Sequence, residues 1–358
     1  MEAKRNGAGS MPDPAETAEL ARLTYVDEET PGILRRRCGR GFIYIGPSGE
    51  RISDNRVITR IKSLVIPPAW EEVWIALKAN GHIQATGRDA RGRKQYLYHP
   101  KWQEARNQNK FGRLLSFGRT LPSIREQVDR DLSINTISKQ RAAAFVVRLL
   151  DITHMRIGNR EYARMNRSYG LTTLREDHLE ICGSRLRFDF PGKGGKRQIL
   201  DIYDRRLARL AKKLQDLPGQ ELVRYRNGSG EYQTLESGDV NAYVEEITGV
   251  DFTAKEFRTW GGTVLTAAEL YNKGPAESKK SQKKSVTQAI KNTAKRLGNT
   301  PTICRKYYVH PAVIEGYACG DLFSVWKQQE SEVTQGPHEA TLEERVVLVL
   351  LENHSVVS

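Results

Sequence analysis

Two hydrophobic periods alternate along this chain. Over residues 33–98 the apolar positions fall in short runs separated by turn residues, the signature of strands. Residues 42–45 run into the turn Gly46-Pro47-Ser48-Gly49, and residues 73–77 form a second apolar run. Segments 81–87 and 93–98 flank Asp89-Ala90-Arg91-Gly92, a loop with hairpin chemistry. A short helix is predicted over 54–63. After Pro100 the period changes: Ala142, Phe145, Val146, Leu149 and Ile152 recur at helical spacing behind the N-cap candidate Ser138. Strand patterning returns in three short runs, 179–182, 185–190 and 197–202, separated by Gly183-Ser184 and by glycines at 192, 194 and 195. Helices are then predicted over 205–214, over 239–248 with Gly249 closing it, over 254–271, and over 278–297 with Gly298 stopping it. Near the end, the apolar run 346–351 follows a capping box, Thr341 to Glu344, and reads as a docking helix. No internal repeat is present.

This succession predicts an α+β protein with a small N-terminal β-sheet domain and a larger, mainly helical domain that contains a short three-stranded sheet. The expected boundaries are a disordered segment over 1–17, which is rich in Gly, Pro and Ala, a β-rich domain over 18–104, a helical domain over 105–330, and a tail with a short helix over 331–358.

Composition narrows the partners. With 57 Lys and Arg against 43 Asp and Glu, the 358-residue chain carries a formal charge of +14, which favours a polyanion. An anionic membrane meets the same electrostatics, but no run approaches the ~18 apolar residues of a spanning helix. The first 15 residues lack an apolar signal core. Cys38, Cys182, Cys304 and Cys319 are widely separated and form no CxxC pair, so neither a zinc site nor a disulfide framework is predicted. The seven histidines show no HExxH spacing. A reducing cytosol fits best, and no GxxxxGK[ST] phosphate loop is present.

Four scattered contexts carry candidate chemistry: Met155-Arg156-Ile157-Gly158-Asn159, Gly192-Lys193-Gly194-Gly195-Lys196, Lys255-Glu256-Phe257-Arg258-Thr259-Trp260, and Tyr307-Tyr308-Val309-His310-Pro311. Two guanidiniums, an ammonium and a phenol suffice to attack a phosphodiester. The phenol is the nucleophile, the arginines hold the developing negative charge, and the lysine protonates the leaving oxygen. Lys255 and Arg258 share one helix face at i, i+3 spacing. A lysine beside two arginines has its pKa lowered by like charge, which suits a proton donor near neutral pH. A phenol with an ordinary pKa of about 10 needs a cationic surround to react. On residue chemistry alone, Lys193 and Lys196 compete for the acid role, as do Tyr307 and Tyr308 for the nucleophile. A second feature is the basic hairpin Arg88-Asp89-Ala90-Arg91-Gly92-Arg93-Lys94-Gln95-Tyr96-Leu97-Tyr98. Strand alternation puts Gln95 and Leu97 on one face and Lys94, Tyr96 and Tyr98 on the other. A two-stranded ribbon fits the major groove, where Gln reads base edges while Lys and Arg hold phosphates. The lysines at 279, 280, 283, 284, 291 and 295, with Arg296, are further phosphate-contact candidates.

In these contexts and this order the residues resemble the active site of type IB DNA topoisomerases, in their compact bacterial and poxvirus form. The resemblance runs from about residue 33 to residue 321. It implies relaxation of supercoiled duplex DNA without ATP, cofactor or obligatory metal, by a monomer whose two domains clamp the duplex. Within the family's motifs, Tyr308 precedes a hydrophobic residue and His-Pro and is the expected nucleophile, joined to the 3′ side of the break. Lys193 is the expected general acid, carried toward DNA on a mobile hairpin tip. Arg156 and Arg258 are the expected oxyanion partners. Many relatives have histidine where this chain has Asn299; an amide can still donate to a phosphate oxygen but cannot titrate. Arg88, Arg91, Arg93, Lys94, Gln95, Tyr96, Tyr98 and Lys255 are the expected DNA contacts, with Gln-Tyr-x-Tyr matching the major-groove strand. Such an enzyme would act in the cytoplasm, at the nucleoid. Two alternatives remain at this level. Tyrosine recombinases share the chemistry but usually place histidine where Lys255 stands. A non-enzymatic basic DNA-binding protein would explain the charge but would leave the Arg, Lys and Tyr contexts without a role.

Overall fold

The computed structural model describes residues 13–27, 29–332 and 336–357. The chain divides after Phe111 into two units. The first opens with helix α1 (Pro14–Leu20), where disorder is expected through residue 17; residues 1–12 of that expectation lie outside the described residues. The helix forms because Asp13 caps the Ala15 amide at 2.6 Å and Pro14 occupies the first turn. Its Ala18 is buried in a small cluster with Leu23 and Trp102.

Five antiparallel strands make the sheet of this unit: β1 (Gly32–Cys38), β2 (Gly41–Ile45), β3 (Glu71–Ala76), β4 (Ile83–Arg88) and β5 (Lys94–Tyr98), in the order β2-β1-β3-β4-β5. Helix α2 (Asn55–Ser63), capped by Asp54, covers one face. Ile61 of that helix joins Ile33, Val73, Ile75 and Ala85 in the core between helix and sheet. Burying such aliphatic side chains is worth about 1.5–3 kcal/mol each.

Helix α3 (Pro100–Leu132) contains the division between the units. The sequence reading places that boundary at 104/105; the helix runs on through it and past the interior Pro122, which has no N–H to donate. In the second unit follow α4 (Lys139–Thr153), α5 (Arg160–Asn166), β6 (Leu179–Cys182), β7 (Arg185–Pro191), β8 (Arg197–Tyr203), α6 (Arg205–Gln215), β9 (Arg224–Arg226), β10 (Tyr232–Thr234), α7 (Ser237–Thr248) and α8 (Ala254–Tyr271). The chain closes with α9 (Lys279–Arg296), α10 (Pro301–Tyr307), α11 (Pro311–Cys319), α12 (Asp321–Glu330) and α13 (Leu342–Val357). β6, β7 and β8 form the expected three-stranded meander, and β9 with β10 adds a two-stranded ribbon that apolar runs did not reveal.

Two helices anchor everything near the chemistry. α4 is buried almost around its circumference, from Ala142 to Leu150. α8 buries Phe257, Arg258, Trp260, Gly261, Gly262 and Thr263, and packs on α4, α9, α11 and α13. The tail belongs to this core, since Val346, Val347, Leu350 and Leu351 of α13 are buried in it. Thr341 and Glu344 cap that helix reciprocally, as their spacing predicts.

Candidate active site

α4 ends at Thr153 because His154 turns into the left-handed region at φ 54° while its amide still bonds Leu150 O at 3.0 Å. The next residues are zipped to a second segment: Leu171 donates to Arg156 O at 2.9 Å and Thr172 to Ile157 O at 2.7 Å. The two backbones touch. A Cβ at Gly170 would lie 2.5 Å from Gly158 N, and Gly158 itself takes φ +105°. Arg156 is thus held by its main chain before its side chain makes any contact. Its guanidinium donates to Asn299 Oδ1 and reaches Gly298 O at 3.4 Å. Burial lowers its pKa, opposed by the nearby phenols of Tyr308 and Tyr162.

Arg258 lies on α8, five residues after the cap Thr253, and only 5 % of it is exposed. It donates to His154 O and, at 2.8 Å, to Leu297 O. Its cation is therefore suspended between the end of α4 and the end of α9. Burial first, and then the like charge of Arg156, push its pKa down to about 10, while Tyr308 raises it by charge and hydrogen bond. It remains protonated at neutral pH. The His154 imidazole packs against α8 where Gly261 has no side chain; a Cβ there would sit 2.4 Å from Nδ1. Burial drives that imidazole's pKa down to about 4, so it is neutral beside Arg258 and Arg296.

Tyr308 caps the short helix α10, its amide bonded to Cys304 O at 2.9 Å. Its backbone lies directly on α8. A Cβ at Gly262 would come within 2.4 Å of Tyr308 O, and Thr263 Oγ1 stands 3.4 Å from the same carbonyl. The ring centroid is 5.2 Å from the Arg258 guanidinium carbon. Tyr307 points elsewhere, with Lys306 Nζ 5.4 Å from its ring.

Lys193 sits on the turn between β7 and β8, exposed, followed by Gly194 and Gly195 at φ 76° and 75°. It joins Arg156, Lys255, Arg258 and Tyr308 in lining one cavity of about 530 Å³; Lys196 and Tyr307 are not on that wall. Five of the expected residues are thereby brought together from four segments far apart in the chain. Asn299 stands behind Arg156 instead of on the wall, and its Nδ2 is buried without a partner among the described residues. Sequence reasoning missed the parts that hold these groups: the His154 and Leu297 carbonyls, Gly170, Gly262 and Thr263. The one legible hint was a Gly261-Gly262 pair inside a helix, which costs about 1 kcal/mol per glycine unless something approaches closely. Tyr169 belongs to the same cavity and also to a larger one of about 1010 Å³, lined by Arg160, Arg164, Arg167 and Arg175 together with Glu161 and Glu221. A cationic, partly apolar cleft with a phenol on its wall is suited to holding a phosphodiester and attacking it.

The hairpin of the first unit has the expected alternation. Leu97 packs on the sheet core, whereas Tyr96 and Tyr98 stack at 5.8 Å with Lys94 Nζ 5.9 Å from the Tyr96 ring. Acidic neighbours engage several of its candidate contacts. Arg93 pairs with Asp89 at 2.6 Å, Gln95 donates to Asp89 at 3.0 Å, and Arg88 pairs with Glu72 at 2.7 Å. The hydrogen bond from Arg93 holds the Asp89 carboxyl down to about 2. Arg91 extends from the exposed loop.

Among the described residues, no group of three or more His, Cys, Asp or Glu side chains could hold a metal ion, and no helix is long and apolar enough to cross a membrane. Residues 99–333 match the family described as eukaryotic DNA topoisomerase I, catalytic core, and residues 41–89 match bacterial DNA topoisomerase IB, N-terminal domain. The DNA topoisomerase 1B of Acanthamoeba polyphaga mimivirus is 33 % identical over 293 residues, covering 80 % of this chain and 87 % of that protein. The DNA topoisomerase 1B of vaccinia virus (strain Copenhagen) is 22 % identical over 271 residues, 75 % of this chain and 82 % of its own length. The DNA topoisomerase 1 of rabbit fibroma virus (strain Kasza) is 25 % identical over 237 residues, 64 % and 70 % respectively.

Proposed function

Because the chain belongs to the type IB DNA topoisomerases, we propose that it relaxes supercoiled duplex DNA through a transient 3′-phosphotyrosyl bond at Tyr308, as a monomer and without ATP or an obligatory metal. The observation that carries this reading is the convergence of Arg156, Lys193, Arg258 and Tyr308 on one cavity. In the forward step Tyr308 Oη bonds to the scissile phosphorus and gives up its proton to solvent as the bond to the 5′ oxygen breaks. Lys193 protonates that departing oxygen, so a 5′ hydroxyl leaves. Arg156 and Arg258 take the charge that builds on the non-bridging oxygens, with Asn299 acting through Arg156. Lys255, on the same wall, holds a neighbouring phosphate. The free end rotates, and the 5′ hydroxyl then attacks the phosphorus, breaking its bond to Tyr308 Oη, while Lys193 takes its proton back and the phenol regains one from solvent. One phosphodiester replaces another at each step, so no nucleotide is consumed.

DNA reaches the hairpin as well. The side chains of Arg91, Lys94, Tyr96 and Tyr98 meet the duplex. Arg88, Arg93 and Gln95 exchange Glu72 and Asp89 for phosphate and base edges. In this reading the enzyme works on chromosomal DNA in the cytoplasm.

The test is covalent capture on a nicked suicide duplex in the presence of EDTA, followed by peptide mapping. The adduct is expected on Tyr308, to be lost in Tyr308→Phe and kept in Tyr307→Phe. Full plasmid relaxation by Tyr308→Phe would refute the assignment. Exchange of strands between two duplexes, in place of relaxation, would point to recombinase activity.

A further inference from the structure

We infer that helix α13, which begins beyond the catalytic-core match ending at residue 333, is a positioning element for the nucleophile and works through His354. The inference rests on the role proposed for Tyr308. Two residues, Val309 and His310, connect that tyrosine to Pro311, the first residue of α11. The inner side of this corner is fixed by α8: the His310 amide donates to Thr263 Oγ1 at 3.1 Å, and the same oxygen stands 3.4 Å from Tyr308 O. His310 also caps α11, its Nδ1 accepting from the Ala312 amide at 3.1 Å.

The outer side of the corner is covered by α13. The His354 ring meets the His310 ring edge to face, with centroids 5.3 Å apart at 88°. His354 Nε2 also lies 3.1 Å from Glu315 Oε2, one turn along α11. One side chain thus touches both the cap that follows Tyr308 and the helix it caps. The other end of α13 is tied to the helix that carries Arg258. Glu344 accepts from Trp260 Nε1 at 3.0 Å and from Arg125 at 2.7 and 2.8 Å. Between these ends Leu350 seats against Gly316, where a Cβ would lie 2.9 Å from Leu350 Cδ2. α13 therefore spans the arginine-bearing helix and the nucleophile's corner with a buried apolar face between them. With 34 % of its side chain exposed, His354 adds little to the core, and orientation of the corner accounts better for its contacts.

Single-turnover adduct formation on the suicide duplex, at saturating DNA, tests this. His354→Ala is expected to slow the step by about tenfold, the scale of a slightly misplaced nucleophile. The half-saturating DNA concentration and the melting temperature should stay at the parent's values. His354→Phe keeps the ring contact and should return the rate to within about twofold of the parent. A chain truncated after Leu351 keeps Val346, Val347, Leu350 and Leu351 and should be as slow as the alanine variant. A parental rate in either His354→Ala or the truncated chain overturns the inference, as does a rate loss that only follows the melting temperature. If the parent itself forms no adduct, the proposed function fails instead, so the two failures are distinguishable.

Discussion

The two arginines differ in how the protein holds them, and that difference sets expectations for their replacement. Arg258 is buried and bridges two carbonyls, His154 O and Leu297 O. A lysine in its place offers a point charge without the planar fork, so it cannot satisfy both acceptors and face the cavity. Arg258→Lys and Arg156→Ala are each expected to lower the single-turnover cleavage rate by roughly 10²–10³-fold, the usual loss for one charge-stabilising donor. Asn299→Ala should cost less than Arg156→Ala, because the amide touches the guanidinium and not the cavity. A larger loss in Asn299→Ala would show the amide contacting phosphate directly. The groups on the cavity wall were legible because each sits in a distinctive local phrase. Their supports were not, since a carbonyl at residue 154 meets a guanidinium at residue 258 only after α4 and α8 have packed.

At the scale of elements, α8 is the surface on which the site is assembled. Gly262→Ala puts a methyl group 2.4 Å from Tyr308 O, a backbone atom that cannot swing aside. Destabilisation of about 1–3 kcal/mol is expected from such overpacking. The adduct yield should fall further than the folded fraction, as a melting curve run beside the capture assay would reveal. A second expectation concerns acid. Burial pushes the Glu344 carboxyl up, but the hydrogen bonds and charge of Arg125, with Trp260, outweigh it and leave the pKa below the ordinary range. Its contribution is fully present above the unfolded value of about 4.3 and is lost as pH falls through the lower folded value. Glu344→Gln should therefore melt lower at pH 7, by less than the roughly 3–5 kcal/mol of an orphaned buried pair because Asp151 still faces Arg125. The gap should close toward pH 3, as thermal denaturation against pH would record. Most elements were legible: α8 spans the predicted residues 254–271, and α9 lies one residue inside the predicted 278–297 at each end. α3 was not, since its apolar residues make no clean stripe and Pro122 breaks its helical propensity. β9 and β10 are three residues each, too short for alternation to register.

For the molecule as a whole, the excess of 57 cationic over 43 anionic residues makes ionic strength the main control on affinity. Each phosphate neutralised on duplex DNA steepens the log–log salt dependence of binding by about 0.9. Replacing the exposed pair Lys283 and Lys284 of α9 by alanine should flatten that slope by about 0.9 for each lysine that touches phosphate. An unchanged slope in an anisotropy titration would mark that helix face as merely solvated. The tether on Arg258 has a thermodynamic corollary. A free arginine side chain carries about 2 kcal/mol of rotamer entropy, and here most of that freedom disappears when the chain folds. Substrate then finds the cation already immobilised. The activation entropy of cleavage should consequently be insensitive to this side chain, and removing it should show chiefly as a larger activation enthalpy.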